Sequence, residues 1–272
     1  MSALRSVHVH PVKSLAARSV REAAVEPWGL AGDRRWMLVD AADRAVTQRQ
    51  QPRLALLSAR ALPDGGVVVT APGHEPLTVP VPDPVAALPV ELHGKKFDVV
   101  EAGPAAHAWL GAFLGTEVRL VHQDAPSYRR PVDPAYGRPG ETVSLADGFP
   151  LLLTAVASLD ALNTLIADGD HPDEGPLPMD RFRPNLVVEG TEPWEEDGWR
   201  RITVGDVPFR VVKPCGRCVV TTTDQRTAAR GKEPLRTLAR HRRRGAQLVF
   251  GQNLIPDGTG TVRAGDPVRV LD

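Results

Sequence analysis

Val207-Pro208-Phe209-Arg210-Val211-Val212-Lys213-Pro214-Cys215-Gly216-Arg217-Cys218-Val219-Val220-Thr221-Thr222-Thr223-Asp224 is the stretch around which the rest of the chain can be read. β-Branched and aromatic residues at either end pack well on a pleated surface, which predicts strands over 207–212 and 219–223 with both cysteines in the connection. The same texture continues outward in both directions. Further alternating or β-branched runs stand at 6–12, 35–40, 54–60, 66–70, 77–81, 91–100, 116–122, 185–189, 201–204 and 267–271. The 26 prolines and 24 glycines break the chain into short segments, so a barrel or sandwich is the expected architecture.

Helical spacing is confined to 104–114, 158–168 and 234–242. In the second of these, Ser158 is the expected N-cap, and Leu159, Leu162, Leu165 and Ile166 make an apolar face that reads as core. The fold class is therefore mostly β with a few helices. The Pro-, Gly- and Asp-rich run 125–140 separates a strand ending at His122 from new periodicity near Val143, which predicts two units, 1–124 and 125–272. The second is a β-barrel and the first a smaller β-rich module.

The 272 residues carry 33 Lys+Arg against 33 Asp+Glu. That balance argues against a nucleic-acid binder, which carries a basic excess. Forty-two per cent apolar and 24% charged residues describe an ordinary globular chain. No apolar run approaches the ~18 residues of a membrane span. The N-terminus lacks an apolar signal-peptide core, and two cysteines make no secreted disulfide framework, so the cytoplasm is the expected compartment.

Three chemistries suit a Cys-x-x-Cys unit: half of a structural zinc site, a redox dithiol, and a thiolate ligand for a soft metal. Zinc needs about four ligands, and the eight histidines are scattered without metal-binding spacing. A redox dithiol opens a helix, whereas a strand is predicted after Cys218. Lys213 and Arg217 favour a thiolate by charge proximity. The plain alternative, two small residues in a turn, stays open from these residues alone. The run Arg240-His241-Arg242-Arg243-Arg244 is the densest positive cluster, read either as a solvated helix end or as a docking patch for an acidic electron carrier.

Taken in order, several motifs resemble one family. Met179-Asp180-Arg181-Phe182-Arg183-Pro184-Asn185, then Lys213-Pro214-Cys215-Gly216-Arg217-Cys218 with Thr221-Thr222, then Lys232-Glu233-Pro234-Leu235 and Phe250-Gly251-Gln252-Asn253-Leu254 are similar to the MOSC domain. Pro11-Val12-Lys13-Ser14 and Gly32-Asp33-Arg34-Arg35-Trp36 are similar to the MOSC N-terminal β-barrel module. The set covers nearly the whole chain, and it resembles the branch of the mitochondrial amidoxime-reducing component and of bacterial reductases of N-hydroxylated bases.

The resemblance implies a molybdenum cofactor (Mo-molybdopterin) and a reduction of N–OH to N–H that is independent of pyridoxal phosphate. Cys218 matches the thiolate that holds the metal and is the implied catalytic residue, with Cys215 outside the metal's ligand set. The implied cofactor-binding residues are Lys13, Ser14, Arg34, Gly148, Phe149, Arg183, Gly216, Arg217 and Asn253. Gly216 and Arg217 are expected to donate through backbone N–H groups. A structural ion pair with Asp180 is the rival role for Arg183, and Pro184 after it predicts an extended backbone there. Asn185 is left outside the set because it could equally serve local backbone donors. Asp224 reads as a proton relay or a turn former.

Two positions depart from the family pattern: Asn253 replaces an aromatic of the animal relatives, and Gln225 stands where a proline usually follows. The implied partners are a small N-hydroxylated substrate and a separate electron carrier of ferredoxin, flavodoxin or cytochrome type. An iron–sulfur cluster needs about four cysteines, and none follows Cys218. Two alternative roles are a non-catalytic carrier or insertion protein for the cofactor, and a sulfur carrier using a Cys218 persulfide, because MOSC domains also end the cofactor sulfurases.

Overall fold

The computed structural model describes residues 1–84, 87–126 and 130–272; positions 127–129 of the 125–140 run lie outside the described residues. A nine-stranded sheet forms the larger layer. Its order is Arg18–Val20, Ala3–Val9, Leu186–Glu189, Leu151–Ala155, Gln247–Pro256, Val207–Gly216, Arg201–Val204 and Val268–Val270, with Arg243–Arg244 pairing at the side of Gln247–Pro256. An antiparallel bridge between Ala3 and Pro267 brings the end of this order back toward its start, so the sheet nearly closes into a barrel. Leu4, Val7, Leu153, Leu186, Phe209 and Leu254 fill its interior.

One pair in the barrel is parallel, Leu151–Ala155 with Leu186–Glu189. A parallel neighbour cannot be reached by a tight turn, and the helix Val156–Ala167 begins the required crossover. Ala3–Val9 and Arg18–Val20 are strands of this sheet, whereas Val12 and Leu15 pack with Trp36 in the second core. Ala3–Val9 pairs with Leu186–Glu189, and Glu22–Glu26 pairs with Gly260–Arg263. Strand pairing therefore runs across the expected 124/125 division.

The smaller layer has a five-stranded sheet, ordered Ala87–Leu92, Lys95–Glu101, Arg119–His122, Trp36–Val39 and Ala45–Val46, and a three-stranded meander of Ser58–Ala61, Val67–Ala71 and His74–Val79. The helix Pro104–Leu114 covers them, its Leu110 and Phe113 packing with Trp36, Leu54 and Leu120. Proline opens this helix, where no backbone donor is needed, and Gly115 ends it at φ 72.

The barrel and helix content expected from sequence is present, with local differences. Residues 219–222 form a 3₁₀ turn instead of a strand. Thr221 Oγ1 donates to the Cys218 carbonyl at 2.9 Å and Thr222 Oγ1 to the Val219 carbonyl at 2.9 Å, so the threonines bond backward along the chain. The run 54–60 begins as the 3₁₀ helix Pro52–Leu56, opened by Pro52, and only Ser58–Ala61 is extended. The run 91–100 folds back at His93-Gly94 into a hairpin. Ser158 is not the N-cap; the helix starts at Val156, and Ser158 Oγ donates to Glu196 at 2.7 Å while accepting the Trp194 N–H at 2.8 Å. Among the described residues, no helix is long and apolar enough to cross a membrane.

Candidate functional site

The end of Val207–Gly216 delivers the Cys-x-x-Cys unit to a cleft of about 140 Å³ between the two layers. Residues 13–14, 34 and 49 supply one wall, the loop 146–149 another, and 182–185 with 215–221 the floor. Every site residue expected from sequence borders it: Lys13, Ser14 and Arg34; Gly148 and Phe149; Arg183; Gly216, Arg217 and Cys218; and Asn253.

Cations concentrate in its depth. Lys13 Nζ is buried, donates to the Leu145 carbonyl at 2.9 Å and pairs with Asp147. Burial pushes it down to about 8, despite the Asp147 charge that favours its ammonium form. Arg183 sits at φ 55, a left-handed conformation that costs a non-glycine residue about 1–2 kcal/mol. The extended backbone expected before Pro184 is thus absent. Burial, and then neighbouring Arg34, push its guanidinium down to about 9. Its two terminal nitrogens are buried and have no hydrogen-bond partner, so the ion pair with Asp180 does not form.

Arg34 instead braces this corner. It pairs with buried Asp33 at 2.5 Å, donates to Asn185 Oδ1 at 3.1 Å and to the Arg183 carbonyl at 3.2 Å. Asn185 Nδ2 donates to the His8 carbonyl at 3.1 Å, and its Oδ1 also accepts the Leu152 N–H at 3.2 Å. Asn185 is thereby a backbone clasp. His10 lies beneath, held well below its usual range by burial and then by Arg34 and Arg183, and is a neutral imidazole bonded to the Pro184 carbonyl.

The loop 144–149 is held from behind by Arg130, which donates to the carbonyls of Ser144, Ala146 and Asp147. No atom lies within 4 Å of where a Cβ on Gly148 would stand, so the backbone faces open space. On the opposite wall, Arg217 NH1 contacts Cys215 Sγ at 2.9 Å and NH2 donates to the Phe182 carbonyl at 2.7 Å. Its backbone N–H donates to the Leu248 carbonyl at 2.7 Å, so the expected backbone donation from Arg217 is spent in the sheet. Asn253 Nδ2 donates to the Lys213 carbonyl at 3.2 Å, steadying the strand that carries the cysteines. Both cysteines are free and half-buried.

Sequence reasoning missed two residues of the site. Asp147 is shared by Lys13, His93 Nε2 at 3.1 Å and Arg49 NH2 at 3.3 Å. Enclosure opposes its charge, yet Lys13, His93 and Arg49 together hold its carboxyl well below the usual range. Arg49 stands beside Asp147 and Cys218; burial works against its charge, and the Asp147 carboxylate raises its pKa. Asp147 adjoined the expected Gly148 and was within reach of the motif; Arg49 carries no sequence signal, being brought in by the fold.

Asp224 is a turn former. Its Oδ1 accepts the N–H groups of Arg226 and Thr227 at 2.9 Å each, its Oδ2 pairs with Arg181 at 3.1 Å, and it does not line the cleft. The Arg240–Arg244 run is largely matched by acids: Arg240 meets Asp170, and Arg242 and Arg244 meet Asp197 at 2.5 and 2.8 Å. Among the described residues, no three His, Cys, Asp or Glu side chains cluster as a metal cage, so the cysteine pair has no companions for zinc.

A near-closed barrel thus sets two free thiols beside a cleft bordered by Lys13, Arg34, Arg49, Arg183 and Arg217. Two family models match the chain in order, the MOSC N-terminal beta barrel domain over residues 1–117 and the MOSC domain over residues 140–269. Mitochondrial amidoxime-reducing component 1 of Homo sapiens is 32% identical across 97% of this chain and 81% of its own. The protein of the same name from Danio rerio is 34% identical across 96% and 82%. Molybdenum cofactor sulfurase of Danio rerio is 33% identical across 91% of this chain, which spans 31% of that longer protein. The chain belongs to the MOSC family, with the N-terminal and MOSC domains in sequence.

Proposed function

We propose that the protein is a molybdenum-cofactor-dependent reductase that converts N–OH to N–H with release of water, using electrons from a separate carrier protein. One observation carries the reading furthest: Arg183, whose two terminal nitrogens are buried without a partner, borders the same cleft as the free thiol of Cys218. A buried donor pair without an acceptor costs stability, and an anionic ligand relieves it. A guanidinium fork suits phosphate, and the soft thiolate suits a thiophilic metal, so the residues present fit the cofactor. The amidoxime-reducing relatives support the same choice.

Cys218 is the metal ligand and the residue on which catalysis depends. Arg183 and Ser14 take the anionic end, with Lys13 beside them, and the open backbone at Gly148 and Phe149 accommodates the polar ring system. Arg34 and Asn253 act one step back, fixing Arg183 and the cysteine strand. Arg217 orders Cys215 and Phe182 around the ligand; Gly216, whose Cβ position is crowded by Gln247, keeps that wall thin. Lys13 Nζ, pushed down to about 8, exchanges a proton near neutral pH and is the cleft's titrating donor. Held there, the cofactor would supply two-electron oxygen-acceptor chemistry.

We assign residues 1–124 to the N-terminal module and 125–272 to the MOSC domain, and the protein to the cytoplasm. The test is metal and pterin analysis of protein from a cofactor-competent host, followed by a small chemical reductant with a hydroxylamine substrate. Bound molybdenum and turnover, both lost in Cys218→Ser, are expected. The sulfurase relatives favour a second reading, in which Cys218 carries sulfur or hands on the cofactor. Metal that exchanges freely without turnover, or a persulfide on Cys218, would establish that role instead.

A further inference from the structure

The mouth of the cleft is ringed by cations that come from three distant segments. The hairpin joining Ala87–Leu92 to Lys95–Glu101 turns at His93 and Gly94, both at positive φ (53 and 75), a twist that matches the paired strands. His93 Nε2 meets Asp147 of the cleft at 3.1 Å, which holds the turn against one side of the mouth, with exposed Lys95 two residues further along the hairpin. Arg49 lines the mouth itself.

On the other side, the loop that follows Cys218 is laid onto the segment carrying Arg49. Arg230 donates to the carbonyls of Gln48 and Arg49, the latter at 2.8 Å, and the amides of Gln48 and Gln225 exchange bonds of 3.1 and 3.2 Å. Arg226 stands exposed on that loop. Three nearby acids are already engaged: Asp147 serves Lys13, Arg49 and His93; Asp224 serves Arg181 and its own turn; and Glu174 accepts the N–H groups of Lys232 and Glu233. The rim is therefore left with a positive excess on a chain whose formal charge is +0.

We infer that this rim of Arg49, Lys95, Arg226 and Arg230 is the docking surface for the electron-donating partner, an acidic one-electron carrier protein that seats its negative face over the cleft. The inference rests on the reductase reading and names the surface that reading requires. A neutral chain attracts an acidic partner only through local placement of charge, and here exposed Lys95, Arg226 and Arg230 stand on segments that flank the thiol-bearing cleft, beside Arg49, which is shared with Asp147. The Arg240–Arg244 run, matched by Asp170 and Asp197, cannot supply the same field. Each encounter oxidises the carrier by one electron; two encounters and two protons convert N–OH to N–H and water.

The test uses the cofactor-loaded protein and, as probe, a [2Fe–2S] ferredoxin of net negative charge. Calorimetry reads its Kd, and steady-state kinetics read its kcat/KM across an ionic-strength series. Lys95→Glu combined with Arg226→Glu is expected to weaken both by about tenfold or more at low salt and to flatten the salt dependence. The rate with reduced methyl viologen should not fall, and Arg243→Glu should leave ferredoxin binding within about twofold. Absence of ferredoxin binding by the wild-type protein, an unchanged Kd in the double variant, or an equal loss with methyl viologen would overturn the inference, the last by showing that the rim acts on substrate. Failure of the reductase reading is separate: no turnover with methyl viologen in the wild type, while calorimetry still reports docking.

Discussion

Arg183 and Arg242 are two largely buried arginines beside the same barrel, and their surroundings are opposite. Arg242 meets Asp197 at 2.5 Å, lies over the Trp194 ring at 4.1 Å, and shares Asp197 with Arg244 and with Gln252 Nε2 at 2.7 Å. Arg183 has strained backbone, no carboxylate bonded to its side chain, and two buried nitrogens without acceptors. The first cluster is the denser in sequence and is structural. Density of positive charge along the chain therefore does not mark the cleft; what separates the two arginines is that both terminal nitrogens of Arg183 lack acceptors, whereas Arg242 leaves only its Nε unpaired.

The largest test of this contrast is the thiol beside Arg183. Cys218→Ser should lose bound molybdenum and reduce turnover by about a thousandfold or more, read by metal analysis and steady-state assay. A loaded, active Ser variant would remove the cleft from the chemistry.

The next effect belongs to Lys13, which is depressed from 10.5 to about 8. Between those values the unfolded chain holds a proton that the native protein has released, so stability of the cofactor-free protein rises with pH across that window. Below about 8 the native state bears the buried ammonium. Urea unfolding of wild type and Lys13→Met should differ in slope, by up to about 3 kcal/mol over the whole interval. Parallel curves would show that Lys13 is not desolvated.

A direct comparison of the two arginines comes third. In cofactor-free protein, Arg183→Met should stabilise by about 1–3 kcal/mol by removing an uncompensated charge, while cofactor retention collapses. Arg242→Met should destabilise by a similar amount, about 1–3 kcal/mol, by stranding part of the Asp197 charge. Chemical denaturation of both variants settles the signs. The smallest effect is at Arg243, exposed and without an acid partner, where Arg243→Glu should change stability by no more than about 0.5 kcal/mol.

Strands were legible where one face meets solvent. Arg201–Val204 alternates and its limits follow from the pattern alone. Leu151–Ala155 and most of Gln247–Pro256 are buried on both faces, so they carry no alternation, and both went unread although they form the centre of the barrel. The threonine-rich run after Cys218 misled in the opposite direction, because hydroxyls that bond backward favour a tight turn over the strand that β-branching suggests.

By itself, the sequence determined a mostly β chain, its helices to within a residue or two, and the motif residues that meet in the cleft: Lys13, Arg34, Gly148, Arg183, Cys218 and Asn253. The first two are properties of residue type and local order, and the cleft residues follow from the resemblance to the family. Tertiary structure alone decided that Arg49 reaches Cys218, that Arg183 is left unpaired while Arg242 is not, and that cations near positions 49, 95 and 226 share one rim. Hydrogen-bond partners, burial and the local electric field depend on which distant segments come together, and only the folded chain fixes those distances.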